Sequence, residues 1–304
     1  MPAIDNRHIL FVPGKNPKPP PELHREQLWR CLLEGVRRAD KGAHAEMQGN
    51  GSNFSLVDWN FSYYGNHRDI VPDLPWIEAV LRKPAANAAD RREARHWRRH
   101  LMRLAYRIGD LLPALIPLIP DPKVKATIAE TKRYFDNRAG IAAVVRRPLE
   151  QLLVRLCGEH RRVMVIGHSL GSVIAYDVFW TLSREGAINC RVDHFLTVGS
   201  PLGTRFVQHR LLGHDCSGRE RYPSIIRRWT NLTAVGDLTA FDPSVRDDFS
   251  EMMQLGLIED IQDNSRPLYN AFRSGDGLNV HRSYGYLVNE HVGRVIADWW
   301  RSAD

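Results

Sequence analysis

Short apolar runs alternate with stretches of helical periodicity along most of the chain, and this alternation predicts the fold class. Apolar runs predict strands at residues 8–13, 54–64, 163–166, 195–198 and 230–235. Helical spacing predicts helices at residues 21–40, 148–160, 170–185, 243–257 and 287–300. Strands that alternate with helices predict an α/β fold, in which a mostly parallel central sheet has helices on both faces.

The segment at about 68–138 departs from this alternation. Within it, residues 88–112 combine helical spacing with seven arginines, and three prolines break the apolar run at 111–120 that follows. We expect a helical cap inserted into a single domain that spans residues 1–304. Because the apolar run is far shorter than the roughly 20 residues of a membrane span, no transmembrane helix is expected.

Composition limits the class of protein further. With 304 residues, of which 43% are hydrophobic, the chain can bury a large core. The four cysteines are far apart and form no Cys-x-x-Cys pair, so we expect reduced cysteines rather than a zinc site or a disulfide framework. The N-terminus lacks the pattern of a secretory signal. The sequence therefore predicts a cytoplasmic protein that needs no metal or cofactor.

The sequence Gly-His-Ser-Leu-Gly at 167–171 is the strongest chemical motif of the chain. It lies between a predicted buried strand and a predicted helix, which is the context that a GxSxG motif requires. A serine hydroxyl is a poor nucleophile and must stand at a sharp turn that a base can reach. Gly167 and Gly171 leave room for that turn, since a Cβ at either position would strike a neighbouring element. We therefore predict that Ser169 is a nucleophile.

Two histidines and two aspartates are candidates for the base and the acid. In such triads the order along the chain is serine, acid, histidine, and only His281 and His291 follow the region of the acid. We prefer His281 because it lies in a predicted loop, whereas His291 falls within the last predicted helix. We prefer Asp237 as the acid because it follows a predicted strand, where a carboxylate could hold the imidazole. Asp242 is the alternative, and a role as the N-cap of a helix would also explain this residue.

Two backbone N–H groups are candidates for the oxyanion hole. Leu170 follows the nucleophile at the start of a predicted helix, where the N–H points toward a developing negative charge. A second donor should come from the loop after an earlier strand, and Lys15 is the candidate there. An ordinary turn explains that loop as well, because Pro-Gly pairs mark turns of every kind.

Several stretches resemble the α/β-hydrolase superfamily, in particular bacterial lipase-like and esterase-like serine hydrolases. They are FVPGKN (11–16), VMVIGHSLGSVIAYD (163–177), FLTVGSPLG (195–203), NLTAVGDLTAFDP (231–243) and NVHRSYGYL (279–287). The resemblance implies an eight-stranded, mostly parallel sheet with Ser169 at the turn before a helix. It also implies Asp237 and His281 as catalytic partners, and Leu170 and Lys15 as oxyanion donors.

We therefore expect a serine hydrolase that cleaves carboxylic esters of small molecules or lipids through an acyl-enzyme intermediate. The alternative is a hydrolase-fold module that binds a lipid or a partner protein through its cap. Much of the net charge of +7 lies in the cap, which would suit contact with an anionic membrane, although a solvated helix face explains the same pattern. Nucleic acid is not an expected partner, since no base-stacking or groove-reading motif accompanies the arginines.

Overall fold

Six parallel strands form the central sheet of the computed structural model, which describes residues 6–96, 131–186, 191–239 and 244–302. The strands are β1 (Arg7–Val12), β2 (Phe54–Leu56), β3 (Arg162–His168), β4 (Val192–Val198), β5 (Ile226–Leu232) and β6 (Asp260–Gln262). Their order across the sheet is β2-β1-β3-β4-β5-β6. The predicted α/β class and parallel sheet are confirmed, but the central sheet has six strands among the described residues rather than the eight that the resemblance implied.

Helices surround this sheet, and one short hairpin lies outside it. The helices are α1 (Pro21–Ala39), α2 (Lys41–Gln48), α3 (Asn60–Tyr64), α4 (Leu74–Arg82), α5 (Ala88–Ala94), α6 (Ile141–Gly158), α7 (Leu170–Glu185), α8 (Arg205–Gln208), α9 (Val245–Asp248), α10 (Ser250–Gln254), α11 (Ser283–Leu287) and α12 (Glu290–Arg301). The hairpin joins β7 (Arg273–Ser274) to β8 (Gly277–Leu278) in antiparallel orientation.

Each face of the sheet is buried against its own layer of helices. Along β1, Leu10 and Val12 belong to one apolar core, whereas Ile9 and Phe11 belong to the other. Side chains of α6 and α7 fill the first core, and side chains of α1 and α12 fill the second. Burial on both faces explains why these strands are continuous apolar runs in the sequence.

The prediction of a single strand at 54–64 is wrong. Strand β2 ends at Leu56, and α3 begins at Asn60. Trp59 and Tyr63 lie four residues apart on one helical face, where both are buried and their rings meet edge to face. Aromatic residues are common both in strands and on buried helix faces, so the spacing of this short run does not distinguish a strand from a helix. The helix predicted at 287–300 corresponds to α12, which begins three residues later, at Glu290. The helix predicted at 148–160 begins earlier, at Ile141, and the one predicted at 243–257 is two short helices, α9 and α10.

The expected cap at 68–138 is described only at its two ends. Helices α4 and α5 lie in its first part, and ion pairs from Arg273 to Asp90 (2.8 Å) and Glu93 (2.6 Å) tie α5 to the hairpin. Residues 97–130 lie outside the described residues, so the cap remains a prediction. Among the helices that the structure describes, none has the length and apolar character to cross a membrane.

One cysteine departs from the expected reduced state. Cys157 is disulfide-bonded, whereas Cys31 and Cys216 are free, and Cys190 lies outside the described residues. Spacing along the chain does not reveal which cysteines meet in space, so this bond could not be predicted. The cysteines therefore do not support the predicted cytoplasmic location.

Candidate active site

The candidate site lies at the carboxyl edge of the sheet. Val12 of β1 is in register with Gly167 of β3, and His168 of β3 is in register with Val198 of β4. Because these strands are parallel, the loops that follow all three emerge side by side at the same edge. Residues that are far apart in sequence thus meet around the loop after β3, which carries Ser169.

Ser169 occupies a strained turn between β3 and α7. Its φ of 54° and ψ of −128° are uncommon for a residue with a side chain, and such a conformation costs about 1–3 kcal/mol. A Cβ at Gly167 would lie 2.7 Å from Cα of Ser172, and one at Gly171 would collide with the carbonyl oxygen of Val12. The turn therefore requires glycine at both positions, as the sequence predicted.

Hydrogen bonds to the end of β4 hold this turn in place. The backbone N–H of Ser169 donates to the carbonyl of Val198 (3.2 Å). The hydroxyl of Ser172 lies 2.5 Å from the carbonyl oxygen of Ser169, to which it donates, and 2.7 Å from the hydroxyl of Ser200. The strain at Ser169 is therefore supported by fixed partners on both sides of the turn.

Asp237 and His281, the predicted acid and base, form a hydrogen-bonded pair. The Nδ1–H of His281 donates to Oδ2 of Asp237 (2.8 Å), and the hydroxyl of Tyr286 donates to the same oxygen (2.6 Å). The backbone N–H of Thr239 donates to the other oxygen (2.9 Å). Burial acts to raise the pKa of Asp237, but His281 and these hydrogen bonds lower that pKa below its ordinary value. The carboxylate therefore stays ionised and orients the imidazole.

Two residues that were not predicted to act at the site support this pair. The Nε2–H of His168 donates to the carbonyl of His281 (2.7 Å), and burial lowers the pKa of His168, so this ring is neutral. Gly199 follows β4 with a φ of 56°, and a Cβ there would lie 2.9 Å from Oδ2 of Asp237. His168 lies inside the GxSxG motif and Gly199 follows a predicted strand, but neither pattern indicates such a contact.

Ser169 and His281 line the same cavity, which has a volume of about 110 Å³. Across all the residues that the structure describes, no hydrogen bond joins the Ser169 hydroxyl to the His281 ring. In free enzymes such bonds are often long and shorten only when substrate binds. The structure thus brings the predicted nucleophile and base to one cavity without joining them.

The loop after β1 passes directly beside the predicted nucleophile. A Cβ at Gly14 would lie 2.9 Å from Cβ of Ser169, so only glycine permits this approach. Two side chains at the start of α3 fix the loop: Nε1 of Trp59 donates to the carbonyl of Pro13 (2.8 Å), and Nδ2 of Asn60 donates to that of Gly14 (2.9 Å). The loop is therefore held in place next to Ser169 by the segment that the sequence predicted as a strand.

Of the two predicted oxyanion donors, Leu170 follows Ser169 in the chain and Lys15 lines the same cavity. Leu170 is buried as the first residue of α7, where a backbone N–H has no acceptor within the helix. Lys15 follows Gly14 and lines the cavity. Of the alternatives, His291 lies in α12 and lines a different cavity, and Asp242 lies outside the described residues.

Comparisons with other proteins add nothing to this geometry. No protein-family model, curated protein or solved structure matches the chain. In the described ranges, no group of three or more His, Cys, Asp or Glu side chains is placed to hold a metal ion. Function must therefore be inferred from the site itself.

Proposed function

We propose that this protein is a serine hydrolase of the α/β-hydrolase type, which cleaves carboxylic esters. One observation carries the proposal: the strained turn presents Ser169 to the same cavity as His281, whose ring Asp237 orients. Backbone strain of this kind persists mainly where function requires it. The geometry of a nucleophile, a base and an orienting acid is what identifies such enzymes across unrelated folds.

The proposed reaction has two steps. His281 takes the proton of the Ser169 hydroxyl as its oxygen attacks the ester carbonyl, and the backbone N–H groups of Leu170 and Lys15 stabilise the oxyanion. Collapse of this intermediate breaks the bond to the alcohol, which takes the proton from His281 and leaves an acyl group on Ser169. Water, deprotonated by His281, then attacks the acyl carbon; the bond to Oγ of Ser169 breaks, Oγ takes the proton back from His281, and the acid is released. Asp237 stabilises the imidazolium in both steps.

A cap over this site belongs to the same proposal. Arg68, where the predicted insertion begins, lines the cavity beside Ser169. A purely binding scaffold would have no physical need for a strained serine together with an Asp237–His281 pair. We therefore favour catalysis over the alternative of a lipid- or protein-binding module.

A fluorophosphonate probe tests the proposal directly, because it reacts only with an activated serine. We expect one adduct per chain, on Ser169. Trypsin would release residues 163–184 as one peptide, in which Ser172 and Ser183 serve as internal controls for the position of the adduct in fragment spectra. An unmodified Ser169, or equal labelling of the urea-unfolded protein, would refute the proposal.

A further inference from the structure

The cavity beside Ser169 is lined by an excess of positive charge. Its cationic side chains are those of Lys15, Lys18, Arg68 and Arg282. Among the described residues that line it, there is no Asp or Glu. Asp73, close by, accepts hydrogen bonds from both Arg68 and Arg282. Among the described residues, Asp73 thus serves both arginines, and Asp237 is already paired with His281.

Three buried polar atoms that belong to residues of this cavity have no hydrogen-bond partner. They are Nδ1 of His24, the hydroxyl of Tyr284 and Nε of Arg282. His24 is 2% exposed and Tyr284 is 1% exposed, so water does not readily solvate either group. Leaving one such group unpaired costs about 1–3 kcal/mol, and native proteins rarely do so. A ligand in this cavity would supply the partners that these three groups lack.

The titration of neighbouring groups reflects the same excess of charge. Burial, followed by Lys18, Arg68 and Arg282, lowers the pKa of His24 well below its ordinary value. Burial, followed by Arg282 and Arg68, also lowers the pKa of Lys18. Each added positive charge is disfavoured here, so a negative charge would be stabilised.

These cations are attached to the elements that would hold a reacting ester. Nζ of Lys18 donates to the carbonyl of Lys15 (2.6 Å), in the proposed oxyanion loop. The backbone N–H of Arg68 donates to the carbonyl of Lys18 (3.0 Å). Arg282 directly follows His281 in the chain. The part of a substrate next to its ester bond would therefore lie beside them.

We infer that the substrate of the proposed hydrolase carries a carboxylate or phosphate group close to the ester bond. Lys18, Arg68 and Arg282 supply its counter-charges, and the orphan groups of His24 and Tyr284 supply hydrogen bonds. Arginine suits this role because its fork of N–H groups matches both carboxylate and phosphate oxygens. The inference rests on the proposed esterase activity, and it narrows the expected substrates from esters in general to anionic esters.

Two esters with the same acyl chain test this inference: mono-p-nitrophenyl adipate, which has a free carboxylate, and its methyl ester, which is neutral. In low salt we expect wild-type kcat/KM to be at least about tenfold higher for the acid, mainly because its KM is lower. A tenfold ratio corresponds to about 1.4 kcal/mol. Arg282→Gln and Lys18→Met should each lower the ratio of the two kcat/KM values about tenfold. The ratio cancels any general loss of activity or folding. Arg228→Gln, at the opposite end of the sheet, is the matched control and should preserve it.

Calorimetry on the Ser169→Ala protein distinguishes the two anions and does not depend on catalysis. Binding of adipate or of inorganic phosphate would support the inference and identify the preferred group. Equal wild-type turnover of the two esters, an unchanged ratio in both variants, or no binding of either anion would overturn it, while fluorophosphonate labelling of Ser169 would still uphold the hydrolase. If neither ester is cleaved and Ser169 is not labelled, both proposals fail.

Discussion

The two ends of the parallel sheet each carry an arginine-rich cavity, and the larger one is not the candidate site. The cavity at the amino end has a volume of about 470 Å³, against about 110 Å³ beside Ser169. Its arginines are paired with acids, as in Arg162–Asp193 (2.6 Å) and Arg227–Glu259 (2.8 Å). Size alone would therefore favour the wrong end.

The two cavities differ in what the fold leaves unsatisfied. The residues that line the amino-end cavity have no positive φ, and among them one orphan buried atom is found, Nε1 of Trp299. The carboxyl-end cavity combines the strained Ser169 with three orphan atoms and unbalanced cations. Strain and missing partners, rather than volume, indicate where a ligand or a reaction is expected.

Matched serine substitutions at the two ends should give the largest contrast. Ser169→Ala removes the nucleophile, so we expect kcat/KM for p-nitrophenyl butyrate to fall by at least about 10⁴-fold. Ser302→Ala removes a hydroxyl at the amino-end cavity and should leave turnover within twofold of wild type. Comparable losses in both variants, with unchanged circular dichroism, would mean that activity does not depend on the carboxyl end.

Gly199→Ala should give the next largest effect on turnover. The new Cβ would lie 2.9 Å from Oδ2 of Asp237 and 3.1 Å from Nδ1 of His281, so the pair must shift. A displacement of about 1 Å in a catalytic group lowers the rate roughly 10²-fold. Steady-state kinetics with p-nitrophenyl butyrate measure this loss.

Gly256→Ala controls for backbone strain in that experiment. Gly256 has a similar φ, 63° against 56° at Gly199, but a Cβ there meets no atom within 4 Å. Both variants should lose about 1 kcal/mol of unfolding free energy from the left-handed conformation, and only Gly199→Ala should also lose activity. An active Gly199→Ala enzyme would show that the Asp237–His281 geometry is not critical.

Two tyrosines on α11 should respond in opposite directions to the same substitution. Tyr286→Phe removes the hydrogen bond that the hydroxyl donates to ionised Asp237 and the one that it accepts from the Ala234 N–H. The unfolding free energy should therefore fall by about 1.5–3 kcal/mol, and kcat/KM should fall about tenfold. Tyr284→Phe removes an orphan hydroxyl and should raise the unfolding free energy by about 1 kcal/mol. Urea unfolding compares the two variants, and destabilisation by Tyr284→Phe would mean that its hydroxyl has a partner.

Sequence patterns predicted the elements around Ser169 closely and the short ones poorly. The predicted strand at 163–166 and helix at 170–185 correspond to β3 (Arg162–His168) and α7 (Leu170–Glu185), because a buried strand and a long helix each have an unambiguous period. Strands of two or three residues, such as β6, β7 and β8, are too short to show any period, and they were not predicted.

The same limit applies to the candidate site. Ser169 could be proposed from the sequence because its motif is local, and Asp237 and His281 could be proposed from their order along the chain. Lys18, Arg68 and Arg282 carry no motif, and only folding brings them together. Tertiary contacts of this kind leave no local pattern, so the charge of the cavity could not be predicted from the sequence.

A partly buried histidine at the amino end should affect stability and not turnover. Nε2 of His194 forms a hydrogen bond with Oγ1 of Thr230 (2.9 Å). Burial, followed by the charge of Arg228, lowers the pKa of His194 from 6.5 to about 4. Between these two pH values the unfolded chain binds a proton that the folded protein does not. The unfolding free energy should therefore fall as pH drops from 6.5 towards 4, by up to about 1.4 kcal/mol per pH unit from this group.

His194→Gln keeps a polar partner for Thr230 and removes the proton, so its unfolding free energy should depend less steeply on pH in this window. Urea titrations followed by tryptophan fluorescence at pH 4.5 to 7.5 measure the slope, and His8→Gln is a parallel case, since the pKa of His8 is also lowered to about 4. Ester turnover at pH 7.5 should not change in either variant. A loss of turnover without a change in slope would reverse the assignment of the two ends, because the amino-end histidines would then act in the reaction rather than in the fold.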